Sequence, residues 1–328
     1  MNSYNSTGWV AESRHPESLR HLLSQSRIYG DYPWDETDKP PVALWSDIES
    51  GMIDEAANRD RQREIGICHW PWVVASHIGI KWADPDQGRL GTCAGFAADT
   101  ASFCMLLQHV ADGVELEVVP TNPYPAWVLG REDANYRGDG ATMSMVLNGV
   151  NKYGRFPTAK VGSYAESISK KINWRALASD AEYFQAGCCY LGDLSDAKLF
   201  DAIMLCVRAG HPVAFGGSTA IDSKADYGSG IKRGVIHGKW AHATAFIAYR
   251  EFRGKEYLAH INSWGDTYGV GKIEREPGSV VWLESSDVRK MCIGQFRDAF
   301  VITYVESTPG QAQWGLAPML IPFPAVHS

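Results

Sequence analysis

The spacing of apolar residues changes once along this chain, from a helical pattern to an extended one. After Cys93, apolar side chains recur at steps of three and four residues, as in Phe96, Phe103 and Leu107. After His211 they follow a period of two. Because these are the repeats of α-helices and β-strands, we expect an α+β fold in two lobes, a helical lobe followed by an antiparallel, β-rich lobe.

Stop signals and turns divide the two parts into elements. Helices are predicted over 93–111, 143–152 and 196–209, each followed closely by a glycine. The proline- and aromatic-rich segment 120–127 is predicted to be a loop. Strands are predicted over 211–215, 243–249, 256–261, 271–274, 279–283 and 299–305, with a hairpin turn at Arg253-Gly254-Lys255.

The two ends of the chain differ from the part between them. Residues 1–64 are predicted to be an N-terminal extension with one helix between Ile48 and Asp60, whose apolar face is Met52, Ile53 and Ala56. Residues 306–328 form an apolar tail interrupted by prolines, which excludes a regular helix or strand. The domain itself is expected over 65–305, with the helical lobe at about 90–160 and the β lobe at about 161–305.

Charge and hydropathy exclude several classes of partner. The chain of 328 residues has a net charge of −7, which disfavours nucleic acid or an anionic membrane as a partner. It has no apolar run near the ~20 residues that cross a bilayer. The N-terminus has neither a basic segment nor an apolar one, so we expect no secretory signal and a cytoplasmic or virion-associated protein.

The cysteine pattern indicates a reduced chain. There are seven cysteines, an odd number, and no two of them are spaced as CxxC. Cys68-His69 has no partner at zinc-ligand spacing. We therefore expect no disulfide framework, no metal and no cofactor.

Three short segments carry the residue types of nucleophilic catalysis. Gln87 precedes Cys93, which is predicted to open a helix, and the partial positive charge of a helix N-terminus favours a thiolate. His242 follows between two alanines, and then comes the turn Asn262-Ser263-Trp264-Gly265. Cysteine, histidine and asparagine in this order are what a cysteine hydrolase needs. Each residue also has a simpler interpretation: a buried structural thiol, a core histidine, a turn asparagine and a surface glutamine. His237 is a second candidate for the base.

These segments resemble those of the papain-like cysteine peptidases, in particular bacterial and phage-type members without a secretion signal. The resemblance covers about residues 65 to 305 and implies an active site in the cleft between the two lobes. It departs from the family at Leu90, where many members have a cysteine, and at Ala94, where many have tryptophan. The extension also lacks the usual pattern of an inhibitory propeptide.

The resemblance implies a role for each residue. Cys93 would be a thiolate nucleophile paired with a protonated His242, which is also the acid and base. Asn262 would orient His242, and Gln87 would stabilise the oxyanion together with the Cys93 N–H. Trp264 would shield the histidine–asparagine bond, and the residues implied to line the substrate cleft are Asp139, Gly140, Trp240, Ala241 and Trp264.

The resulting prediction is thiol-dependent hydrolysis of peptide bonds in a polypeptide substrate, through an acyl-enzyme on Cys93. One alternative is a structural or assembly protein, of virion type, that keeps the scaffold with little or no activity. Its motivation is the two long ends, residues 1–64 and 306–328, which would dock either on the domain or on a protein partner. A second alternative is an amidase or acyltransferase that uses the same thioester chemistry.

Overall fold

Most helices precede the large sheet in the chain, and two lie between strands of that sheet. A computed structural model describes residues 45–64, 66–114, 116–181, 184–226, 231–266, 268, 276–293 and 297–305. The helices are α1 (Trp45–Glu64), α2 (Pro71–His77), α3 (Cys93–Ala111), α4 (Pro123–Asp133), α5 (Met143–Tyr153), α6 (Thr158–Val161), α7 (Tyr164–Ser167), α8 (Asp196–Ala209) and α9 (Ser285–Met291), and a 3-10 helix covers Trp174–Asp180.

The strands form one large antiparallel sheet and one short ladder. They are β1 (Thr121–Asn122), β2 (Phe156–Pro157), β3 (Ala186–Tyr190), β4 (Val213–Asp226), β5 (Ile231–Phe252), β6 (Lys255–Ile261), β7 (Val280–Glu284) and β8 (Arg297–Val305). β1 pairs with β2, and the other six are ordered β3-β8-β4-β5-β6-β7 with antiparallel neighbours. This arrangement confirms the α+β class and the antiparallel sheet predicted from the change in period.

Both faces of the large sheet are covered by helices. α3 packs on one face, and α8, α9 and α1 pack on the other. Cys188 and Cys189, neighbours on β3, point into these two separate cores, as the alternation of side chains along a strand requires. The sheet is therefore the middle layer of the molecule, and most of its residues are buried.

The helix that begins at Cys93 is buried around most of its circumference. Its first six residues, 93–98, are all buried, and so are positions on every side further along. Small side chains such as Ala94, Ala98 and Ala101 allow the sheet and the helices α4 and α5 to approach it closely. The single apolar face predicted from the three- and four-residue spacing was too narrow, because this helix lies between two layers.

The segment predicted as a proline-rich loop is largely helical. Pro123 occupies the first position of α4, and Pro125 lies in its first turn, where backbone N–H groups have no partner within the helix. The side chain of Asn122 caps the helix by accepting the N–H of Tyr124 at 3.0 Å. The loop prediction over 120–127 was wrong because prolines were read as breakers at positions where helices tolerate them.

The helix predicted in the N-terminal extension is α1, which is longer than expected and packs on the face of the large sheet that α8 covers. Met52 and Ala56 are buried against the core that contains α8, whereas Ile53 is 53% exposed. The prediction that Ile53 belongs to the apolar face was therefore wrong, because only Met52 and Ala56, four residues apart, pack against the core that contains α8. Two ion pairs flank this contact: Arg59 to Asp112 at 2.5 Å, and Asp60 to Arg208.

Helical segments continue past residue 160. α6, α7 and the 3-10 helix pack near α4 and the start of β2, around a small core that contains Leu129, Phe156 and Trp174. The lobe and domain boundaries remain predictions. The strand expected over 271–274, the tail 306–328 and residues 1–44 of the extension lie outside the described residues.

No helix within the described ranges combines the length and the apolar character that crossing a membrane requires.

Candidate functional site

Cys93 is the first residue of α3, and its sulfur faces backbone N–H groups. These belong to Cys93 itself, to Ala94 and to Ala243, the residue after His242. The side chain is fully buried. Burial raises the pKa of the thiol to about 12, and the three N–H groups only partly oppose this effect. The nucleophile candidate is therefore an uncharged thiol at neutral pH in this structure.

His242 is held by the side chain of Asn262. It lies on β5 opposite Gly217 of β4, and Asn262 follows the last residue of β6. The Nε2 atom of His242 lies 2.7 Å from Asn262 Oδ1. The same oxygen accepts the backbone N–H of Ser263 at 2.7 Å. Both His242 and Asn262 are almost fully buried.

This pair of bonds fixes the tautomer of His242. A backbone N–H can only donate, so the Asn262 atom that it meets is the carbonyl oxygen rather than the amide nitrogen. Nε2 of His242 must therefore carry the proton that it shares with Asn262. Nδ1 is left with its lone pair, buried and without a hydrogen-bond partner among the described residues. A neutral imidazole in this orientation presents a base at Nδ1.

The imidazole is also uncharged. Burial lowers the pKa of His242 to about 4, and the hydrogen bond to Asn262 opposes this only in part. At neutral pH both Cys93 and His242 are therefore in their neutral forms in this structure. Burial therefore opposes both charges of the thiolate–imidazolium pair that the resemblance implies, and that pair stays a prediction.

Gln87 is bonded to the turn that carries Asn262. Its backbone N–H donates to the Ser263 carbonyl at 2.9 Å, and its Oε1 accepts the Ser263 hydroxyl at 2.6 Å. Its Nε2 donates to the carbonyl of Leu90 at 2.8 Å. Asp86 and Trp264 form a further bridge between the two segments. Gln87 is buried rather than at the surface, and the segment before Cys93 is joined to the asparagine turn.

Two tryptophans enclose the histidine. The ring of Trp264 lies 4.8 Å from that of His242, and the ring of Trp240 lies 4.9 Å from it. The two indoles meet edge to face at 5.1 Å. Their apolar surfaces exclude water from the side of the His242–Asn262 bond, which strengthens that bond.

The remaining residues implied for the cleft are less closely connected to this group. Ala241 is exposed beside His242. Asp139 is exposed in the loop before α5, and Gly140 has φ +76°, a conformation that favours glycine. Their described contacts are with the neighbouring loop, where the hydroxyl of Tyr136 donates to the Asp139 carbonyl at 3.2 Å. His237, the second candidate for the base, is exposed and lies 4.0 Å from Asp222.

Two further residues at this site were not singled out from the sequence. Ser263 links Gln87 to Asn262, and its position inside the asparagine turn was the available signal. Tyr164 donates its hydroxyl to the carbonyl of Gln87 at 2.9 Å. No local pattern indicates this contact, because Tyr164 is far from Gln87 in the sequence. The described residues include no group of three or more His, Cys, Asp or Glu placed to hold a metal ion.

Comparison with known proteins finds similarity only among solved structures. The sequence matches no protein-family model and no curated protein. Xylellain, a cysteine protease from Xylella fastidiosa, is 16% identical with a TM-score of 0.49, over 86% of this chain and 97% of that chain. Digestive procathepsin L 3 of Tenebrio molitor larval midgut is 15% identical with a TM-score of 0.46, over 87% and 78%. The proform of the ragweed pollen allergen Amb a 11, a cysteine protease, is 19% identical with a TM-score of 0.46, over 89% of both chains.

Proposed function

We propose that this protein is a thiol-dependent peptidase of the papain-like type, which hydrolyses peptide bonds in a polypeptide through an acyl-enzyme on Cys93. The observation that carries the proposal is the orientation of His242. Its Nε2 proton is shared with Asn262 Oδ1 at 2.7 Å, so Nδ1 is an unprotonated base. The Cys93 sulfur contacts the N–H of Ala243, the next residue, which supports a position for the thiol near that base.

The first half of the reaction forms the acyl-enzyme. His242 Nδ1 takes the proton of the Cys93 thiol, and the sulfur attacks the carbonyl carbon of the scissile peptide. The electron pair of the C=O bond moves to oxygen. When it returns, the C–N bond breaks and the leaving amine takes the proton from His242. The product is a thioester between Cys93 and the N-terminal part of the substrate.

The second half releases that part. Water attacks the thioester carbon while His242 Nδ1 accepts its proton, and the C–S bond then breaks. The sulfur recovers the proton, and the carboxylic acid leaves. Each peptide bond therefore consumes one water molecule and regenerates the neutral thiol and the neutral imidazole. Asn262 keeps the ring in one orientation through both steps.

Charge on the substrate oxygen is stabilised by two N–H donors. One is the backbone N–H of Cys93, at the start of α3, where N–H groups have no partner within the helix. The other is on Gln87, whose amide nitrogen has two hydrogens and gives one to Leu90. The two hydrogen bonds between Gln87 and Ser263 hold this second donor in place before the substrate arrives. Loss of one such donor typically lowers kcat by about 10²–10³.

The test uses the full chain and a peptidyl epoxide, a reagent that alkylates cysteine peptidases at the nucleophile. Wild-type protein is expected to hydrolyse a quenched-fluorescence peptide library and to gain one probe mass, located on Cys93. The Cys93→Ala variant should lose both properties while its circular dichroism stays unchanged.

Cys104→Ala is the matched control, because Cys104 is equally buried in the same helix. It should keep both hydrolysis and labelling. Hydrolysis that persists in Cys93→Ala would overturn the proposal. Labelling without hydrolysis of any peptide would instead favour the alternative of a scaffold with little or no activity.

A further inference from the structure

Tyr164 makes two hydrogen bonds to the segment that precedes the nucleophile. Its hydroxyl lies 2.9 Å from the carbonyl oxygen of Gln87 and 2.8 Å from the Thr92 hydroxyl. Tyr164 is the first residue of α7, far from this segment in the sequence. Gln87 and Thr92 are both buried and Tyr164 is half-buried, so the loop side of these two bonds is shielded from water.

The direction of both bonds follows from their chemistry. A carbonyl oxygen can only accept, so the single proton of the Tyr164 hydroxyl goes to Gln87. The Thr92 hydroxyl must then donate to Tyr164. The result is a directed chain from Thr92 through Tyr164 to the backbone of Gln87. Burial raises the pKa of Tyr164 to about 12, so the phenol keeps the proton that this chain needs at neutral pH.

Gln87 and Thr92 stand at the two ends of a closed loop. The carbonyl of Leu90, inside the loop, accepts both the side-chain N–H of Gln87 at 2.8 Å and the backbone N–H of Thr92 at 2.8 Å. The two oxyanion donors proposed above lie at these same ends, since Cys93 follows Thr92. The two hydrogen bonds of Tyr164 connect these ends and therefore fix the distance between the donors.

The Tyr164 ring is itself held in place. It meets the ring of Phe96, in the first turn of α3, edge to face at 4.8 Å, and it meets Tyr124 at 6.0 Å. A capping box between Ser163 and Glu166 closes the short helix that carries Tyr164. The hydroxyl thus reaches the loop from a fixed position on a different part of the chain.

We propose that Tyr164 is a positioning residue for the oxyanion site: its hydroxyl, with that of Thr92, holds the Gln87 and Cys93 donors at a fixed separation. The inference rests on the proposed peptidase function. It predicts an effect on the step in which charge develops on the substrate oxygen, with no effect on peptide binding. It also predicts no effect on the intrinsic reactivity of Cys93 toward iodoacetamide, because alkylation forms no oxyanion.

The test compares Tyr164→Phe with wild type on one peptide amide substrate. Because the donors remain but are less well fixed, kcat should fall about ten-fold, with KM and the rate of Cys93 alkylation each within about two-fold of wild type. Thr92→Val should behave in the same way, since the Thr92 side chain does not cap α3. The double variant should lose no more than either single variant, because both break one chain of bonds.

Tyr124→Phe is the matched control, because it removes a hydroxyl from the adjacent ring, and its kinetics should equal those of wild type. An unchanged kcat in Tyr164→Phe would overturn the inference and leave the peptidase proposal standing. A parallel fall in kcat and alkylation rate would also overturn it, since the hydroxyl would then support the site in general. A folded wild type that hydrolyses no peptide and takes up no epoxide would refute the peptidase proposal, and this inference with it.

Discussion

At the scale of single residues, burial determines the charges of Cys93 and His242, the pair on which the proposed chemistry depends. The pKa of Cys93 is raised to about 12 and that of His242 is lowered to about 4, so both are neutral between these values. A thiol reacts as its thiolate, so the proposed mechanism needs a base that removes the proton of Cys93 during the reaction. In that proposal the base is the unprotonated Nδ1 of His242.

The first prediction is that alkylation of Cys93 depends on His242 and persists in mild acid. His242 stays an unprotonated base above its pKa of about 4, so the labelling rate should change little from pH 7 to about 5 and fall as the pH approaches 4. In His242→Ala the rate at pH 7 should fall by about 10² or more, and it should rise only towards alkaline pH. The measurement is mass spectrometry of the Cys93 peptide after timed exposure to iodoacetamide. Equal rates in the two proteins at pH 5 would contradict this assignment of the base.

Local sequence patterns identified most residues of the candidate site but not all of the hydrogen bonds between them. Gln87, Cys93, His242 and Asn262 each occupy a short segment that can be recognised without knowing the fold, and the structure links Gln87, His242 and Asn262 through Ser263. The neutral charge of the thiol could not be predicted, because desolvation depends on what the tertiary structure packs against it. The contact of Tyr164 with Gln87 could not be predicted either, since it joins residues that are distant in the sequence.

At the scale of elements, the predictions succeeded where periodicity and stop signals agreed. α8 spans the predicted 196–209 and is followed by Gly210, its C-cap, which has φ +98°. Five of the six predicted strands are found, as β4 to β8; all but β7 are longer than predicted, and β3 was missed. The sixth, over 271–274, lies outside the described residues. β4 and β5 extend well beyond their apolar runs because they pair with each other. Hydrogen bonds between backbones can form whatever the side chains are, so this pairing is not visible as a periodic pattern in either segment of the sequence.

The second prediction concerns two helices that touch through glycine. A Cβ atom added at Gly130 of α4 would lie 1.9 Å from the carbonyl oxygen of Met145 on α5. The backbones must therefore separate, and Gly130→Ala should lower the free energy of unfolding by about 1–3 kcal/mol. The control is Gly51→Ala in α1, where no atom lies within 4 Å of the new methyl group. This control should raise stability by about 0.5–1 kcal/mol, because alanine loses less backbone entropy in a helix.

Urea unfolding followed by circular dichroism measures both variants against wild type. The free energy of unfolding is expected to fall in Gly130→Ala and to rise in Gly51→Ala, although the substitution is the same. A Gly130→Ala variant as stable as wild type would mean that α4 and α5 do not approach as closely as the structure has them.

At the scale of the whole molecule, the central sheet joins the two cores. α3 and the candidate nucleophile lie on one face, and α8 and α1 lie on the other. The order β3-β8-β4-β5-β6-β7 places β8, the last strand among the described residues, between two earlier ones. The core that contains Cys93 includes Phe300, Ile302 and Val305, so it is complete only once β8 has paired, although its helices come early in the chain. Alternating apolar residues indicated strands but gave neither this order nor the coverage of both faces.

The third prediction follows from this shared sheet: the two cores should unfold together. The seven cysteines are all free and buried, and they report on both sides of the sheet. Cys104 and Cys188 lie in the core beside α3, whereas Cys189 and Cys206 lie in the core beside α8. Each becomes reactive only when its own core opens, so its labelling rate in mild urea measures the free energy of that opening.

Because both cores are bounded by the same strands, all four thiols should give the same free energy of opening within about 1 kcal/mol, close to that of global unfolding. Cys188 and Cys189 make the comparison sharp, since they are adjacent in sequence and differ only in the face to which they point. Peptide mapping after timed labelling at several urea concentrations separates the four sites. If Cys189 and Cys206 reacted ten-fold faster than Cys104 and Cys188, the α8 side would open by itself. In that case the sheet would stay folded with α3, and the molecule would consist of two units of different stability.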